Sequence, residues 1–226
     1  MPNRASDELV WDEPEEAGSA TLTRAEIVKS ALDIADAEGL EAVSIRRVAA
    51  ELDVRPMALY SHIASKDDLV ALMLHEMSGQ LLVPEPLPED WREALRLIAR
   101  RAYDAYVQHA WALQAFGRGT RVGPNMLRRA EQSATAVAGL DLLPAEAWIA
   151  LSIVHDWTMG HALHVVTLRE DAELEGQLGG ADAADFPRMS KVFGTGRAES
   201  RETVFDIALE AVLDGIERRF VLDRRD

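Results

Sequence analysis

Residues 54–69 read VRPMALYSHIASKDDL and hold two helix starts in close succession. Pro56 suits the first position of a helix, where its missing N–H costs nothing. Ser65 suits the cap of the next, which Lys66-Asp67-Asp68 opens. The first of these helices would run from Pro56 to about His62, barely two turns. Nucleating a helix is costly and so short a one forms few hydrogen bonds, so it needs tertiary support. Leu59 and Ile63 point to a core and supply that support. Met57, Ala58, Tyr60, Ser61 and His62 are left off the core, able to approach another molecule.

Upstream, Thr23-x-x-Glu26 has the spacing of a capping box. It predicts a helix running to Gly39, with Ile27, Ala31, Ile34 and Ala35 on one face. Ser44 caps a second helix whose Ile45, Val48, Ala49 and Leu52 recur at i, i+3, i+4 and i+7. Asp53-Val54-Arg55 is the turn into the short helix. Two helices joined by a tight turn, with a third behind, is the arrangement of a helix-turn-helix unit whose second member lies in a DNA major groove. Arg24, Arg46, Arg47, Arg55 and Lys66 stand at or near helix starts, where backbone N–H groups and basic side chains together suit phosphate oxygens.

The stretch GLEAVSIRRVAAELDVRPMALYSHIASKDDLVALML (residues 39–74) resembles the N-terminal domain of the tetracycline-repressor (TetR/AcrR) family of transcriptional regulators. The resemblance covers residues 23 to about 70 without a gap. It is carried by G-x-x-x-x-S-x-R-x-V-A from Gly39 to Ala49, by V-x-x-x-x-L-Y-x-H from Val54 to His62, and by Lys66. It implies that Tyr60 and His62 contact DNA, mostly its backbone, and that Ser44, Arg46 and Lys66 do so too. Asp53 stands where the family has glycine, and Asp tolerates left-handed backbone better than most residues. Ser61 stands where Trp or Phe is common, a departure that bears on operator preference.

The charge runs against a nucleic-acid reading. The chain of 226 residues holds 24 Lys+Arg and 39 Asp+Glu, a net of −15. Residues 22–67 hold six basic and eight acidic residues, a net of −2. Such a domain lacks a general cationic footprint, which predicts weak binding to random DNA and a salt-sensitive specific complex. Residues 1–21 add six acids against one Arg and read as a disordered acidic tail.

Beyond a fourth helix, expected to end near Leu82, the Pro-rich VPEPLPED (residues 83–90) forms a joint. The expected organisation is a tail over 1–21, a DNA-binding domain over 22–69 with the fourth helix as connector, and a helical ligand-binding and dimerisation domain over 83–226. The second part also reads as all-α. Trp91, Leu95, Ile98, Ala102 and Ala105 mark a helix from about Glu89 to Gln108, followed by a short segment around Trp111 to Phe116. Pro124 and Pro144 open helices to about Gly139 and Arg169. Residues 171–197 read as a glycine-rich loop with a short helix near Phe186 to Val192, and a last helix runs from about Ala198 to Phe220. The segment EDWREALRLIARRAYDAYVQHAWALQAF, with GPNMLRRAE downstream, is similar to the C-terminal domain of the tetracycline repressors. That resemblance implies a ligand within these helices, and candidate lining residues are Trp111, Phe116, Asn125, Met126, Trp148, His155, Trp157, Met159 and His161.

The helix after Pro144 is apolar nearly all round, as is the last helix from Val204 to Ile216. A helix apolar on every side is buried on every side. The pair reads as a four-helix interface between two copies, as the resemblance also implies. His161-x-x-His164 puts two imidazoles on one face, a spacing that suits a metal. The sequence supplies no third ligand, so neither metal nor cofactor is expected.

The chain contains no cysteine, which excludes disulfides, thiol catalysis and cysteine-based zinc sites. No signal peptide or membrane span is visible, so a cytoplasmic protein is expected. An enzyme is the main rival class, but no phosphate-cradling glycine loop and no Ser/His/Asp set at diagnostic spacing is present. A helical adaptor leaves the recognition-helix residues unexplained. The expected function is a ligand-responsive regulator, a repressor by the resemblance, that binds palindromic double-stranded DNA as a homodimer and releases it to a small-molecule effector.

Overall fold

The structure, a computed structural model, describes residues 22–117, 121–170, 185–188, 191 and 201–222. The acidic tail and most of the glycine-rich stretch with its expected short helix lie outside these. Every regular element among the described residues is helical.

Helix α1 (Arg24–Glu38) starts on the expected capping box. Thr23 Oγ1 accepts from the Glu26 amide at 3.2 Å, and the Glu26 carboxylate accepts from the Thr23 amide at 2.8 Å. Gly39, at φ +86°, ends it in a conformation that suits glycine. A 3₁₀ turn, Leu40–Ala42, then buries Leu40. Helix α2 (Ile45–Glu51) is capped by Ser44, whose hydroxyl accepts from the Arg47 amide. Asp53 takes φ +53°, the left-handed geometry expected of the turn. Helix α3 covers Pro56–Tyr60, shorter than the run to His62 read from the sequence. Beyond Tyr60 the chain stays tightly wound, because the His62 and Ile63 amides both donate to the Leu59 carbonyl at 2.9 Å. Helix α4 (Lys66–Gln80) starts at Ser65, whose hydroxyl donates to Asp68 Oδ2 at 2.8 Å and accepts from the Asp68 amide at 3.1 Å.

Five helices follow: α5 (Trp91–Gln108), α6 (Ala110–Gly117), α7 (Pro124–Val137), α8 (Pro144–Glu170) and α9 (Arg201–Ile216). A π-helical turn, Glu217–Leu222, closes the described chain.

The chain packs into two compact units. The first comprises Met1–Leu87 and Asp104–Thr135, so α6 and most of α7 pack with α1–α4. Its core includes Ile27, Ile34, Val48, Leu59, Leu69, Met73 and Trp111. The Gln132 side chain bonds both the amide and the carbonyl of Val83 (3.1 and 2.7 Å), tying α7 to the chain that follows α4.

The second unit comprises Pro88–Tyr103 and Ala136–Asp226. Leu95, Ala150, Val154, Ala162, Phe205, Leu209 and Leu213 are buried in it. A ladder of charge joins α5 to α9. Arg92 pairs with Glu210 (3.0 Å), Glu217 (2.9 Å) and Asp214; Arg96 pairs with Glu210 (2.6 Å); Arg100 pairs with Asp206. The Arg96 guanidinium, then Arg92, holds the Glu210 carboxyl below its usual range.

Candidate nucleic-acid interface and effector region

The candidate DNA face is built on what α3 buries. Leu59 is fully buried and Ile63 nearly so. Burial of each is worth about 1.5–3 kcal/mol, which holds a helix of five residues that has no side-chain cap. The residues between them turn outward. Met57 is 75% exposed and Tyr60 50% exposed, large apolar side chains with no cover among the described residues. Ala58 and His62 are half-buried, and Ser61 turns its hydroxyl back to donate to the Ala58 carbonyl at 2.7 Å. Of the neighbouring basic residues, Arg46 on α2 and Arg55 at the cap of α3 are exposed, and Lys66 is half-buried at the start of α4. Ser44 is spent in part on capping α2.

Arg47 is placed differently. Its guanidinium donates to Glu51 at 2.6 Å and Glu38 at 2.9 Å, and those carboxylates raise its pKa further. It lines a cleft of about 350 Å³ between α1 and α2 with Lys29, Ser30, Asp33 and Leu52. Arg24, the first residue of α1, is half-buried.

Of the nine candidate effector residues, four fall in the first unit. Trp111 is buried in α6 and donates its indole N–H to Asp36 of α1 at 2.7 Å. Phe116 meets the fully buried Tyr106 edge-on at 6.1 Å. Burial raises the Tyr106 phenol pKa, opposed by the Arg129 guanidinium. Asn125, at the start of α7, donates to the His75 carbonyl of α4 at 3.0 Å, and Arg128 donates to its Oδ1 at 2.7 Å. Met126 beside it is half-buried. Burial, more than any charge, lowers the pKa of the His75 ring.

The other five lie on α8 in the second unit. Trp157 stacks on His161 at 5.3 Å, and Phe205 of α9 lies 5.1 and 5.7 Å from the two rings. Burial first, then the neighbouring His164 and Arg100, lowers the pKa of His161. His155 and Met159 are half-buried, whereas Trp148 is 73% exposed on the first turns of α8. Among the described residues no third ligand joins His161 and His164.

One arrangement went unread in the sequence. His109, buried between α5 and α6, has Nδ1 2.8 Å from Asp36 Oδ1 and Nε2 3.1 Å from Gln80 Oε1. Asp36 thus holds both His109 and Trp111, and α1, α4 and the start of α6 share one polar junction. A lone histidine in the apolar run AYVQHAWAL was the visible signal; its partners were not.

Comparison with known proteins follows the same lines. The family model described as bacterial regulatory proteins, tetR family, matches residues 27–73. The model of the tetracyclin repressor-like C-terminal domain matches residues 83–220. The HTH-type transcriptional repressor DrrR1 of Streptomyces coeruleorubidus is 33% identical over 227 residues, 93% of this chain and 84% of that protein. The class E tetracycline repressor protein of Escherichia coli is 24% identical over 198 residues, 87% of this chain and 91% of that protein. The crystal structure of the Streptomyces coelicolor TetR family protein ActR in complex with actinorhodin superposes with a TM-score of 0.73 at 27% identity, covering 87% of this chain and 97% of that one.

Proposed function

Because the chain belongs to the tetracycline-repressor family of bacterial regulatory proteins, we propose that it binds a palindromic operator as a homodimer and releases it when a small molecule enters its C-terminal helices. Proteins of this family regulate transcription by binding DNA and are not enzymes. The observation that carries the reading is α3 itself, a five-residue helix anchored by Leu59 and Ile63 that turns Met57 and Tyr60 outward among Arg46, Arg55 and Lys66. Met57 and Ala58 are the residues for base edges; Tyr60, Ser61, His62, Ser44, Arg24, Arg46, Arg55 and Lys66 serve the backbone. Arg47, which also joins α1 to α2 through Glu38 and Glu51, stands with them.

Pairing is supported by apolar side chains left uncovered in the second unit. Ile149, Ile153 and Leu163 on α8, and Val204 and Ile207 on α9, are all exposed. Two copies would bring two recognition helices onto half-sites about one turn of DNA apart. Trp148 fits this surface better than a ligand pocket.

An effector is supported by the relative ActR, whose structure with actinorhodin is known. Here two candidate sets are offered to it, each within one unit: Phe116, Asn125 and Met126 in the first, and His155, Trp157, Met159 and His161 in the second. The link to DNA runs through α4, which begins at Lys66 and carries His75, Gln80 and the contact with Asn125. A ligand shifts this equilibrium only by its difference in affinity for the two states. Sedimentation of the protein with fluorescent DNA from upstream of its gene tests the reading. Two chains per site are expected; one chain per site, or no complex, would refute it.

A further inference from the structure

The DNA reading leaves the first 21 residues without a role. They read MPNRASDELVWDEPEEAGSAT and carry Asp7, Glu8, Asp12, Glu13, Glu15 and Glu16 against Arg4 alone. At their centre Leu9-Val10-Trp11 is flanked by acids on both sides. We propose that this segment lies over the α3 face of its own chain and competes with DNA for it.

The face has the matching chemistry. Six basic residues occur in residues 22–67. Two of them, Lys29 and Arg47, are paired on the surface with Asp33, Glu38 and Glu51. Arg46, Arg55 and Lys66 make no ion pair among the described residues; Arg46 lies on α2, which packs against α3, Arg55 caps α3, and Lys66 opens α4. On α3 itself Met57 and Tyr60 are exposed. Three cations without an ion pair and two exposed apolar side chains, with only Asp53 and Asp67 as exposed acids from Asp53 to Asp67, thus meet a segment of six carboxylates about Leu-Val-Trp.

Position and charge favour the chain's own segment as occupant. It enters α1 at the capping box, next to Arg24. Fully extended, 21 residues span about 70 Å, against a radius of gyration of about 13 Å for a unit of about 100 residues, so every point of the first unit is within reach. Tethering supplies an effective concentration on the order of millimolar. The attraction is local, since residues 22–67 are net acidic and salt screens exposed charges beyond about 8 Å. An operator, with many phosphates and shaped contacts, displaces the segment; random DNA competes with it poorly.

The inference rests on the reading of α3 as the DNA contact, and the test separates the two. Three proteins are compared: the full chain, a deletion of residues 2–21, and a full-length variant with D7N, E8Q, D12N, E13Q, E15Q and E16Q. Both altered proteins should bind random DNA about tenfold more tightly at low salt and match the full chain as salt screens the segment. A carbodiimide, which joins carboxylates to amines at contact distance, should link the segment to Lys66 Nζ in the full chain, and operator DNA should abolish that link. Unchanged affinity for random DNA overturns the proposal while operator binding keeps the DNA reading intact. Tighter binding without the Lys66 link, or equal linking to Lys29 and Lys191, shows plain charge repulsion and also overturns it. If none of the three proteins binds any operator, both readings fall.

Discussion

Asp36, near the end of α1, accepts a hydrogen bond from the indole Nε1–H of Trp111 on α6 at 2.7 Å. The same carboxylate oxygen lies 2.8 Å from Nδ1 of the buried His109. Helix α1 is therefore fixed to helix α6, which carries Trp111, one of the candidate effector residues. Asp36→Ala leaves the Trp111 donor and the His109 ring without this acceptor, a cost of about 1–3 kcal/mol. The variant should still bind operator but lose at least about tenfold of its response to an effector, because the two helices no longer move as one. Anisotropy titrations of labelled operator, with and without effector, check this; an unaltered response would remove Asp36 from the coupling.

A side chain at Gly79, on α4, would have to displace the Asn125 amide. A Cβ built there would lie 2.8 Å from Asn125 Nδ2, which is itself held by the His75 carbonyl. In an open helix Gly→Ala gains about 1 kcal/mol. Here Gly79→Ala should instead destabilise by about 1–3 kcal/mol. In an Asn125→Ala background the sign should reverse, and urea unfolding of the four proteins of that cycle measures it.

Asp53 holds the turn between α2 and α3 at φ +53°. Asp53→Gly should be neutral or slightly stabilising, since glycine adopts this geometry without strain. Asp53→Val should cost about 1–2 kcal/mol and weaken operator binding in parallel, because the turn sets the angle of α3. Equal stability of the two variants would show that the turn is not strained.

Burial against Trp157 and Phe205, with His164 and Arg100 nearby, holds His161 below its usual value of 6.5. The unfolded chain therefore binds this proton first as pH falls. The stability of the second unit should be full above about 6.5 and decline as pH drops from there through the folded pKa. His161→Phe keeps a ring on Trp157 and should flatten that decline in thermal unfolding between about pH 7.5 and 5.5. A decline of the same steepness in the variant would assign it to other groups.

The helices were legible because their ends are written locally. Thr23 with Glu26, Ser44, Pro56 and Ser65 each cap or open an element within one turn, and all four do so in the structure. The short helix ends at Tyr60 rather than His62, with a single turn closed by the His62 and Ile63 amides on the Leu59 carbonyl beyond it. What was not legible depends on partners far along the chain. Asp36 and His109 stand 73 residues apart. Arg92, Arg96 and Arg100 are spaced to share one face, as are Asp206, Glu210 and Asp214, yet nothing local says that the two faces meet. Trp148 shows the limit of residue type as a guide, since an aromatic on an apolar helix proved to be surface. The exposed ion pair of Arg47 with Glu38, beside its pair with Glu51, was likewise not legible, because Glu38 lies on another helix.

The central claim, that α3 is the DNA contact of an otherwise acidic chain, is tested most directly by operator affinity across salt for the full chain and for Met57→Ala, Tyr60→Ala and Lys66→Ala. The full chain should bind DNA from upstream of its gene with an affinity that falls steeply with salt. Lys66→Ala should weaken it and reduce the log–log slope by about one, Tyr60→Ala should weaken it, and Met57→Ala should blur preference among operator variants. Operator affinity and salt slope unchanged in all three variants would contradict the account.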